Sequence, residues 1–327
     1  MRLMFFGAGA FGLPTLEALH AQHEVAAVVT QPDKPAGRKR RLAPTPIGQW
    51  AADHGLDVWK RDDVNDDAFV ERVAAVAPEA SVVIAFGQKL SPALIEAMGP
   101  LAVNLHASLL PKYRGAAPIQ RAMIEGEPVT GVSVIALAQK MDAGVVYAMQ
   151  ETPIDPHETA GELHDRLAGL GPEAIGRVLD DLASGQLQPV EQDHAQATRA
   201  PKLTKADGTV DFAAEADAVR SRIHGLTPWP ACRVALWPKN ADAPRPDPLT
   251  LRRVKGVDGS PAGAEPGTVL DGLRVATASR DRVIELVSVQ PPGKRAMPAA
   301  DFARGHADFE PGARLLPWEA GDRGNGR

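Results

Sequence analysis

The chain has 327 residues, of which 44% are hydrophobic and 24% charged, and it carries a formal net charge of −5. This length favours two domains, and the absence of a long apolar run excludes a membrane-spanning segment. A net negative chain does not attract a polyanion as a whole, so any nucleic-acid contact must come from local basic clusters.

The N-terminus turns to glycine before any long apolar region, so we expect no secretory signal. The single cysteine, Cys232, cannot form an internal disulfide, and its expected role is that of a small buried residue. We therefore expect a cytoplasmic protein.

In the first part of the chain, short apolar runs alternate with amphipathic stretches, a pattern typical of a parallel sheet flanked by helices. Strands are predicted at Leu3–Phe6, Val25–Val29, Val82–Phe86, Ala102–Leu105 and Val132–Leu137. Helices are predicted at Pro14–His20, Pro46–His54, Asp67–Val76, Pro92–Met98 and Ala160–Leu182. This pattern predicts an α/β fold with a Rossmann-like N-terminal domain.

The second part of the chain has a different composition. One helix is predicted near Ala213–Ile223, and β-type runs follow at Thr250–Val254, Gly272–Ala276 and Val283–Val289. Gly- and Pro-rich turns separate these runs, which indicates a small C-terminal OB-like β-barrel. We predict domains at 1–186 and 207–314, a linker at 187–206, and a disordered tail at 315–327.

A glycine motif follows the first predicted strand. Gly7, Gly9 and Gly12 form GxGxxG between a strand and a helix, the context of a dinucleotide-binding turn. However, Asp33 lies beyond a proline and not at the tip of the second strand, so the fingerprint is only partly matched. A tight turn without a ligand and an NAD-dependent dehydrogenase both remain open here.

Three polar residues provide a more specific signal. Asn104 and His106 lie two residues apart at the end of an apolar strand, so their side chains share a face at the sheet edge where α/β proteins bind ligands. Asp142 lies in a Gly-containing turn after the Val132–Leu137 strand and can reach the same cleft. The sequence therefore predicts a site with Asn104, His106 and Asp142 as catalytic residues.

This trio suits acyl transfer to an amine. An amide and a protonated imidazole can stabilise the oxyanion that forms when an amine attacks a formyl carbon, and a carboxylate can take up the proton lost by the amine. Ser108 does not lie in a GxSxG turn, so a covalent serine mechanism is not indicated. The histidines are scattered without HExxH or Cys/His pairing, and no metal is expected.

The segment from Asn104 to Gly115 resembles the signature of the folate-dependent formyltransferase family, and Met141–Gly144 is similar to the aspartate loop of that family. The resemblance implies a Rossmann-like catalytic domain and 10-formyltetrahydrofolate as formyl donor. It further implies folate contacts at Phe86, Gly87, Gln88, Leu90, Ser108, Leu109, Leu110 and Pro111.

Members of this family formylate tRNA, amino sugars or a purine precursor. Ala116–Gln120, the stretch Ala200–Gly208, Thr227–Pro230 and Gln290–Met297 resemble the members that act on methionyl initiator tRNA. By the same resemblance, the tRNA contacts are Lys34, Arg38, Lys39, Arg40, Arg41, Lys202 and Lys205, and basic loops of this kind neutralise phosphates. We expect a monomer that has this tRNA and the folate as its partners.

Two alternatives remain at this point. A formyltransferase for a nucleotide-linked amino sugar would need neither the basic loop nor the barrel, and the dehydrogenase would bind a dinucleotide near Gly7–Gly12. Without the resemblance, Arg38–Arg41 would read as a solvated surface loop.

Overall fold

The computed structural model describes residues 1–37, 41–261 and 263–318. These residues divide into two compact units. The first unit comprises residues 1–115, 130–152 and 164–200, and the second comprises 116–129, 153–163 and the chain from residue 201 onward. Residues 187–200 of the predicted linker therefore cluster with the first unit.

The elements up to residue 200 alternate between strands and helices. The strands are β1 (Arg2–Gly7), β2 (Glu24–Thr30), β3 (Lys34–Ala36), β4 (Arg41–Ala43), β5 (Val58–Lys60), β6 (Ala80–Ile84), β7 (Ala102–His106), β8 (Arg114–Gly115), β9 (Val129–Ala136), β10 (Val146–Pro153) and β11 (Arg199–Ala200). The helices are α1 (Leu13–Gln22), α2 (Pro46–Asp53), α3 (Asp67–Val76), α4 (Pro92–Ala97), α5 (Pro118–Ile124), α6 (Ala160–Ala168) and α7 (Gly171–Ala183).

The core of the first unit is a seven-stranded sheet of order β10-β9-β7-β6-β1-β2-β5. The strands from β5 to β7 are parallel, and β9 runs antiparallel to β7. Strand β6 is buried along its whole length, as expected of a parallel strand covered on both faces. The chain passes from β1 to β2 on one side and returns to β6 on the other, which creates a ligand-binding crevice at the carboxyl ends of these strands.

The five strands predicted in the N-terminal part correspond to β1, β2, β6, β7 and β9, so the Rossmann-like fold class is confirmed. The helix predicted over Ala160–Leu182 is wrong as a single element, because α6 ends before Gly169 and α7 begins at Gly171. Pro172 occupies the first turn of α7, a position in which proline is tolerated while a helix interior is not. Gly171 also packs so closely that an added Cβ would lie 2.3 Å from Thr15 Oγ1.

The second unit contains a mainly antiparallel sheet. Its elements beyond residue 200 are α8 (Ala216–Gly225), β12 (Cys232–Trp237), β13 (Leu249–Asp258), β14 (Arg274–Val275), β15 (Arg282–Gln290), β16 (Met297–Pro298), α9 (Ala299–Arg304) and β17 (Arg314–Pro317). The sheet order is β14-β15-β13-β12-β17, with β16 paired to β15. The curled sheet forms a half-barrel, and the buried face of α8, including Val219 and Ile223, packs into its core.

The last strand, β17, contradicts one prediction. Residues 315–317 were predicted to begin a disordered tail, but they belong to β17, which pairs antiparallel with β12. Leu315 is buried in the half-barrel core, so the strand has an apolar side chain to anchor it. Residues 319–327 of the predicted tail lie outside the described residues.

Candidate active site

Strand β7 carries Asn104 and His106 at the end of the parallel part of the sheet. Asn104 is paired with Val83 of β6 and Ile135 of β9, and His106 is paired with Ser133. Because strand side chains alternate between faces, Asn104 and His106 point to the same side. Asn104 is half-buried and His106 is buried. As the part of the chain that the structure describes contains no side-chain hydrogen bond of Asn104, its amide can donate to a ligand.

The two ring nitrogens of His106 face different groups. Nε2 lies 2.9 Å from the backbone oxygen of Tyr113. Since a carbonyl only accepts, Nε2 carries the proton in this contact. Nδ1 lies 3.8 Å from Oδ2 of Asp142, too far for a direct hydrogen bond. Nδ1 is therefore the ring atom left for a substrate.

Asp142 is held in place by the signature segment itself. The backbone N–H of Gly115 donates to Asp142 Oδ2 over 2.8 Å. Asp142 adopts a left-handed backbone with φ of 53°, and its side chain is largely buried. Glycine is required at Gly115, where φ is 127° and an added Cβ would lie 2.6 Å from the backbone oxygen of Ala200. The structure thus brings His106 and Asp142 together as the sequence predicted.

The loop after β7 is fixed by serine hydroxyls. Ser108 Oγ donates to the backbone oxygen of Lys112 over 2.7 Å, and Ser133 Oγ donates to the backbone oxygen of Ser108 over 2.7 Å. Ser108 is fully buried and Leu110 nearly so, while Leu109 and Pro111 are partly exposed. These contacts give Ser108 a role in shaping the loop, and the folate contact of residues 108–111 stays a prediction.

Sequence reasoning missed a buried polar network behind this loop. The Gln192 amide donates to the backbone oxygens of Asp142 and Gly144 over 3.0 and 2.7 Å. Its oxygen accepts from Arg114 Nε and Nη2 over 3.1 and 2.5 Å, and Arg114 Nη2 also donates to His194 Nδ1 over 2.9 Å. Since Gln192 and Arg114 are both buried, this network positions the Asp142 loop against the signature segment.

The segment predicted to line the folate follows β6. Phe86 is buried and packs edge-to-face on Phe6, with ring centroids 5.7 Å apart. Leu90 is half-buried against the same core cluster. Gln31 Nε2 donates to the Phe86 backbone oxygen over 2.7 Å, and Gln88 Nε2 to that of Arg61 over 2.8 Å.

The backbone of this segment is constrained at Gly87 and, in the described part of the chain, has free N–H groups. Gly87 has φ of 78°, and a Cβ at this position would lie 2.5 Å from Gln31 Nε2. Within the described residues, the backbone N–H groups of Gly87, Gln88 and Leu90 have no hydrogen-bond partner. The segment therefore offers peptide groups beside an apolar wall at the crevice next to β1.

The glycine motif is explained by packing. An added Cβ would lie 2.6 Å from the Phe5 ring at Gly7, 3.3 Å from Ala85 Cβ at Gly9, and 3.1 Å from the Phe5 ring at Gly12. The three glycines thus allow the turn after β1 to pack against the end of β6. Nothing in this geometry favours the dehydrogenase.

The predicted tRNA contacts lie in both units. Lys34 and Arg41 are exposed on β3 and β4, which pair antiparallel, while Arg38, Lys39 and Arg40 lie outside the described residues. Lys202 and Lys205 are exposed in the second unit.

Two kinds of feature are missing from residues 1–37, 41–261 and 263–318. No group of three or more His, Cys, Asp or Glu side chains there is arranged to hold a metal ion. No helix of the same ranges is long and apolar enough to cross a membrane.

An amide, an imidazole and a carboxylate lie at the carboxyl edge of a Rossmann-like sheet, and a half-barrel follows in the chain; this arrangement is suited to group transfer. Comparison with known proteins narrows this class. Residues 1–179 match the family model described as formyl transferase, and residues 202–307 match that of the formyl transferase C-terminal domain. The chain belongs to the formyl transferase family.

Curated relatives extend along nearly the whole chain. A methionyl-tRNA formyltransferase of Solibacter usitatus is 41% identical over 307 residues, which cover 93% of this chain and 96% of the relative. A methionyl-tRNA formyltransferase of Thermus thermophilus is 40% identical over 319 residues, which cover 96% of this chain and 99% of the relative.

Solved structures share the fold at low identity. An N-formyltransferase from Helicobacter canadensis, in complex with folinic acid and dTDP-3-aminofucose, has a TM-score of 0.66 and 13% identity, covering 88% of this chain and 99% of that one. HypX from Aquifex aeolicus in complex with tetrahydrofolic acid has a TM-score of 0.59 and 16% identity and covers 93% of this chain. The present chain spans about half of HypX, 47% of its length.

Proposed function

We propose that this chain transfers a formyl group from 10-formyltetrahydrofolate to the α-amino group of methionyl initiator tRNA. The observation that carries the proposal is the arrangement of His106, Asp142 and Asn104 at the end of β7, in a chain about 40% identical to methionyl-tRNA formyltransferases over nearly its full length. Exposed cations on both units support an RNA acceptor.

The proposed chemistry uses the Asn104 amide and His106 Nδ1, which make no hydrogen bond within the described residues. When the α-amino nitrogen attacks the formyl carbon, the formyl oxygen gains negative charge. The Asn104 amide and the protonated Nδ1 of His106 donate hydrogen bonds to that oxygen, and each such donor contributes roughly 10²–10³ in rate. Asp142 Oδ2 lies 3.8 Å from Nδ1, so the carboxylate flanks the ring atom that faces the substrate.

Asp142 has a second proposed task. Its Oδ2 is engaged by Gly115, so Oδ1 is the atom that accepts the proton released by the attacking amine. The intermediate then collapses, the bond between the formyl carbon and the folate nitrogen breaks, and that nitrogen takes up the proton that Asp142 accepted, which regenerates the carboxylate. No step requires a covalent intermediate with the protein.

The peptide groups of residues 87–90 and the apolar wall of Phe86 and Leu90 support the assignment of a pterin ring to this segment. The bound folate supplies the formyl carbon, and the protein orients it toward Asn104. We further propose that the protein acts as a monomer in the cytoplasm, where translation initiation takes place.

The experiment follows formyl transfer from 10-formyltetrahydrofolate to methionyl initiator tRNA and, separately, to a nucleotide-linked amino sugar. Transfer to the tRNA is expected, with kcat lowered roughly 10²–10³-fold by Asn104→Ala and roughly 10²–10⁴-fold by Asp142→Asn. Asp165→Asn is the matched control, because the side chain of Asp165 is 84% exposed.

Arg41→Ala tests the acceptor in the same assay. It should weaken transfer to tRNA most at low salt, and the difference from wild type should shrink as salt is added, because salt screens the phosphate contact that the variant has lost. Transfer to the sugar alone would refute the tRNA acceptor and keep the catalytic trio, while an undiminished kcat for Asn104→Ala would refute the oxyanion role.

A further inference from the structure

A tryptophan is left exposed on a turn of the second unit. Trp229 is 50% exposed, although its neighbours Thr227, Pro230 and Ala231 are buried. Exposure of half of so large an apolar ring forgoes hydrophobic stabilisation, and such rings are typical of binding surfaces. This position therefore offers a ring face to a partner.

The turn that carries Trp229 is anchored on both sides. Thr227 Oγ1 donates to the backbone oxygen of Ile223 over 2.8 Å, and the Ala231 N–H donates to that of Leu226 over 2.8 Å. Arg252 Nη1 donates to the backbone oxygen of Pro228 over 2.9 Å. A ring on a fixed backbone loses little conformational entropy when it binds a ligand.

The surroundings of this turn are basic. Arg252 lies two residues after Thr250, and Thr250 pairs with Arg233 across β12 and β13. Burial and the charge of Arg233 lower the pKa of Arg252. In the described ranges, the Arg233 guanidinium is exposed and makes neither an ion pair nor a hydrogen bond.

This basic surface continues toward a predicted tRNA contact. The backbone N–H of Arg233 donates to the backbone oxygen of Gly208 over 3.1 Å, directly after the turn Lys205–Asp207. Two acids of the second unit are paired with arginines: Glu162 with Arg253 over 2.6 Å, and Asp207 with Arg121 over 3.1 Å. We name Lys205, Trp229, Arg233 and Arg252 the Trp229 patch.

An exposed aromatic ring in a turn that an arginine contacts matches one chemistry closely. Nucleobases stack on aromatic rings, and neighbouring arginines and lysines bind the phosphates. The base must be unpaired, because a base inside a duplex already has both faces covered by its neighbours. The aminoacylated end of a tRNA is single-stranded and provides such bases.

We propose that Trp229 is a stacking platform for an unpaired nucleotide near the aminoacylated end of the acceptor RNA, with Arg233 binding an adjacent phosphate. This inference rests on the proposed function, because it assumes that the acceptor is an RNA.

The test compares two RNA hairpins that mimic an acceptor stem, one with a four-nucleotide unpaired 3′ end and one blunt. Binding of each hairpin to the full-length protein is measured by fluorescence anisotropy. Trp229→Ala should weaken binding of the hairpin with the unpaired end about 5–150-fold, from about 1–3 kcal/mol per stacked base, and leave the blunt hairpin unchanged. Trp229→Phe, which keeps an aromatic face, should retain most of the affinity.

Arg233→Gln separates stacking from charge. It should remove about one phosphate contact, which lowers the magnitude of the slope of log K against log salt concentration by about 0.7–0.9. Trp229→Ala should leave this slope unchanged. A thermal melt of each variant verifies folding.

The proposal would be overturned if Trp229→Ala bound each hairpin as tightly as the wild type does. It would also be overturned if Trp229→Ala lost the same affinity for both hairpins, which is the result expected of a disturbed half-barrel or of a protein-binding surface. Formyl transfer by the wild type is measured in parallel. Transfer to tRNA without an effect of Trp229→Ala on end-dependent binding refutes this inference alone. End-dependent binding without transfer refutes the proposed function alone.

Discussion

Replacement of Gln192 by methionine tests whether the network behind the active-site loop positions Asp142. Methionine has a similar volume but neither donates nor accepts strongly, so the carbonyls of Asp142 and Gly144 lose a donor and Arg114 loses an acceptor. Two neutral hydrogen bonds contribute about 0.5–1.5 kcal/mol each, and a bond to a charged group about 1.5–3 kcal/mol. Because Arg114 keeps its contact with His194, we expect the free energy of unfolding to fall by about 2–4 kcal/mol.

The same change should slow the reaction. Asp142 remains tied to Gly115 through Oδ2, so the carboxylate is displaced and not lost. We expect kcat to fall about 10–100-fold, less than the roughly 10²–10⁴ associated with complete loss of an acid–base group. The KM for folate should change little, because the segment Phe86–Leu90 is untouched.

The assay combines urea unfolding with single-turnover formyl transfer. Gln196→Met is the matched control, since Gln196 is an exposed residue of the same segment and its side chain bonds only Asp193. Gln192→Glu restores an acceptor for Arg114 but places a carboxylate oxygen against the backbone oxygens of Asp142 and Gly144, so kcat should stay low even where the Arg114 contact is kept. Wild-type stability and kcat in Gln192→Met would refute the reasoning.

Three further outcomes are expected. Gly87→Ala should raise the KM for folate at least several-fold, because φ of 78° and a 2.5 Å approach to Gln31 force the segment to shift; an unchanged KM in steady-state kinetics would contradict this. Burial lowers the pKa of His224 to about 4, so the unfolded state binds the extra proton between that value and the ordinary pKa. Stability should therefore be complete above about pH 6.5 and fall by up to about 3 kcal/mol as the pH drops toward 4, with the slope reduced in His224→Gln and kept in the exposed control His20→Gln when urea midpoints are compared. Burial raises the pKa of the Cys232 thiol to about 12, so a thiol reagent at pH 8 should label the unfolded chain but not the native one, as mass spectrometry would show.

The parallel sheet and the shared strand face of Asn104 and His106 could be predicted, because buried residues form a regular pattern in the sequence. The interior strands are continuous apolar runs, and the two-residue spacing at the end of β7 fixes the face on which both side chains lie. The placement of Asp142 required one further step, the return of the antiparallel strand β9 beside β7. That step was accessible because the apolar run of β9 ends shortly before Asp142.

Other elements left too little pattern to be predicted. The hairpin of β3 and β4 has three residues on each side and exposes Lys34 and Arg41, so its sequence shows charge and not alternation. Strands β8 and β11 have two residues each and pair across a long stretch of chain. Such elements are determined by tertiary contacts, and local propensity carries almost no information about them.

The segment around Gln192 shows why the remaining part of the site could not be predicted from the sequence. Hydrophobic periodicity reports apolar burial, whereas Gln192 is a buried polar residue whose partners are the backbone oxygens of residues 142 and 144, groups that every residue possesses. Thr198 likewise acts through a contact between its Oγ1 and the backbone N–H of Tyr113 over 2.8 Å. A stretch that stabilises a site in this way has the composition of a linker. The chain that leads from the first family domain to the second is therefore also a structural part of the catalytic unit, and a fragment that ended at residue 186 would lose the donors that hold the Asp142 loop.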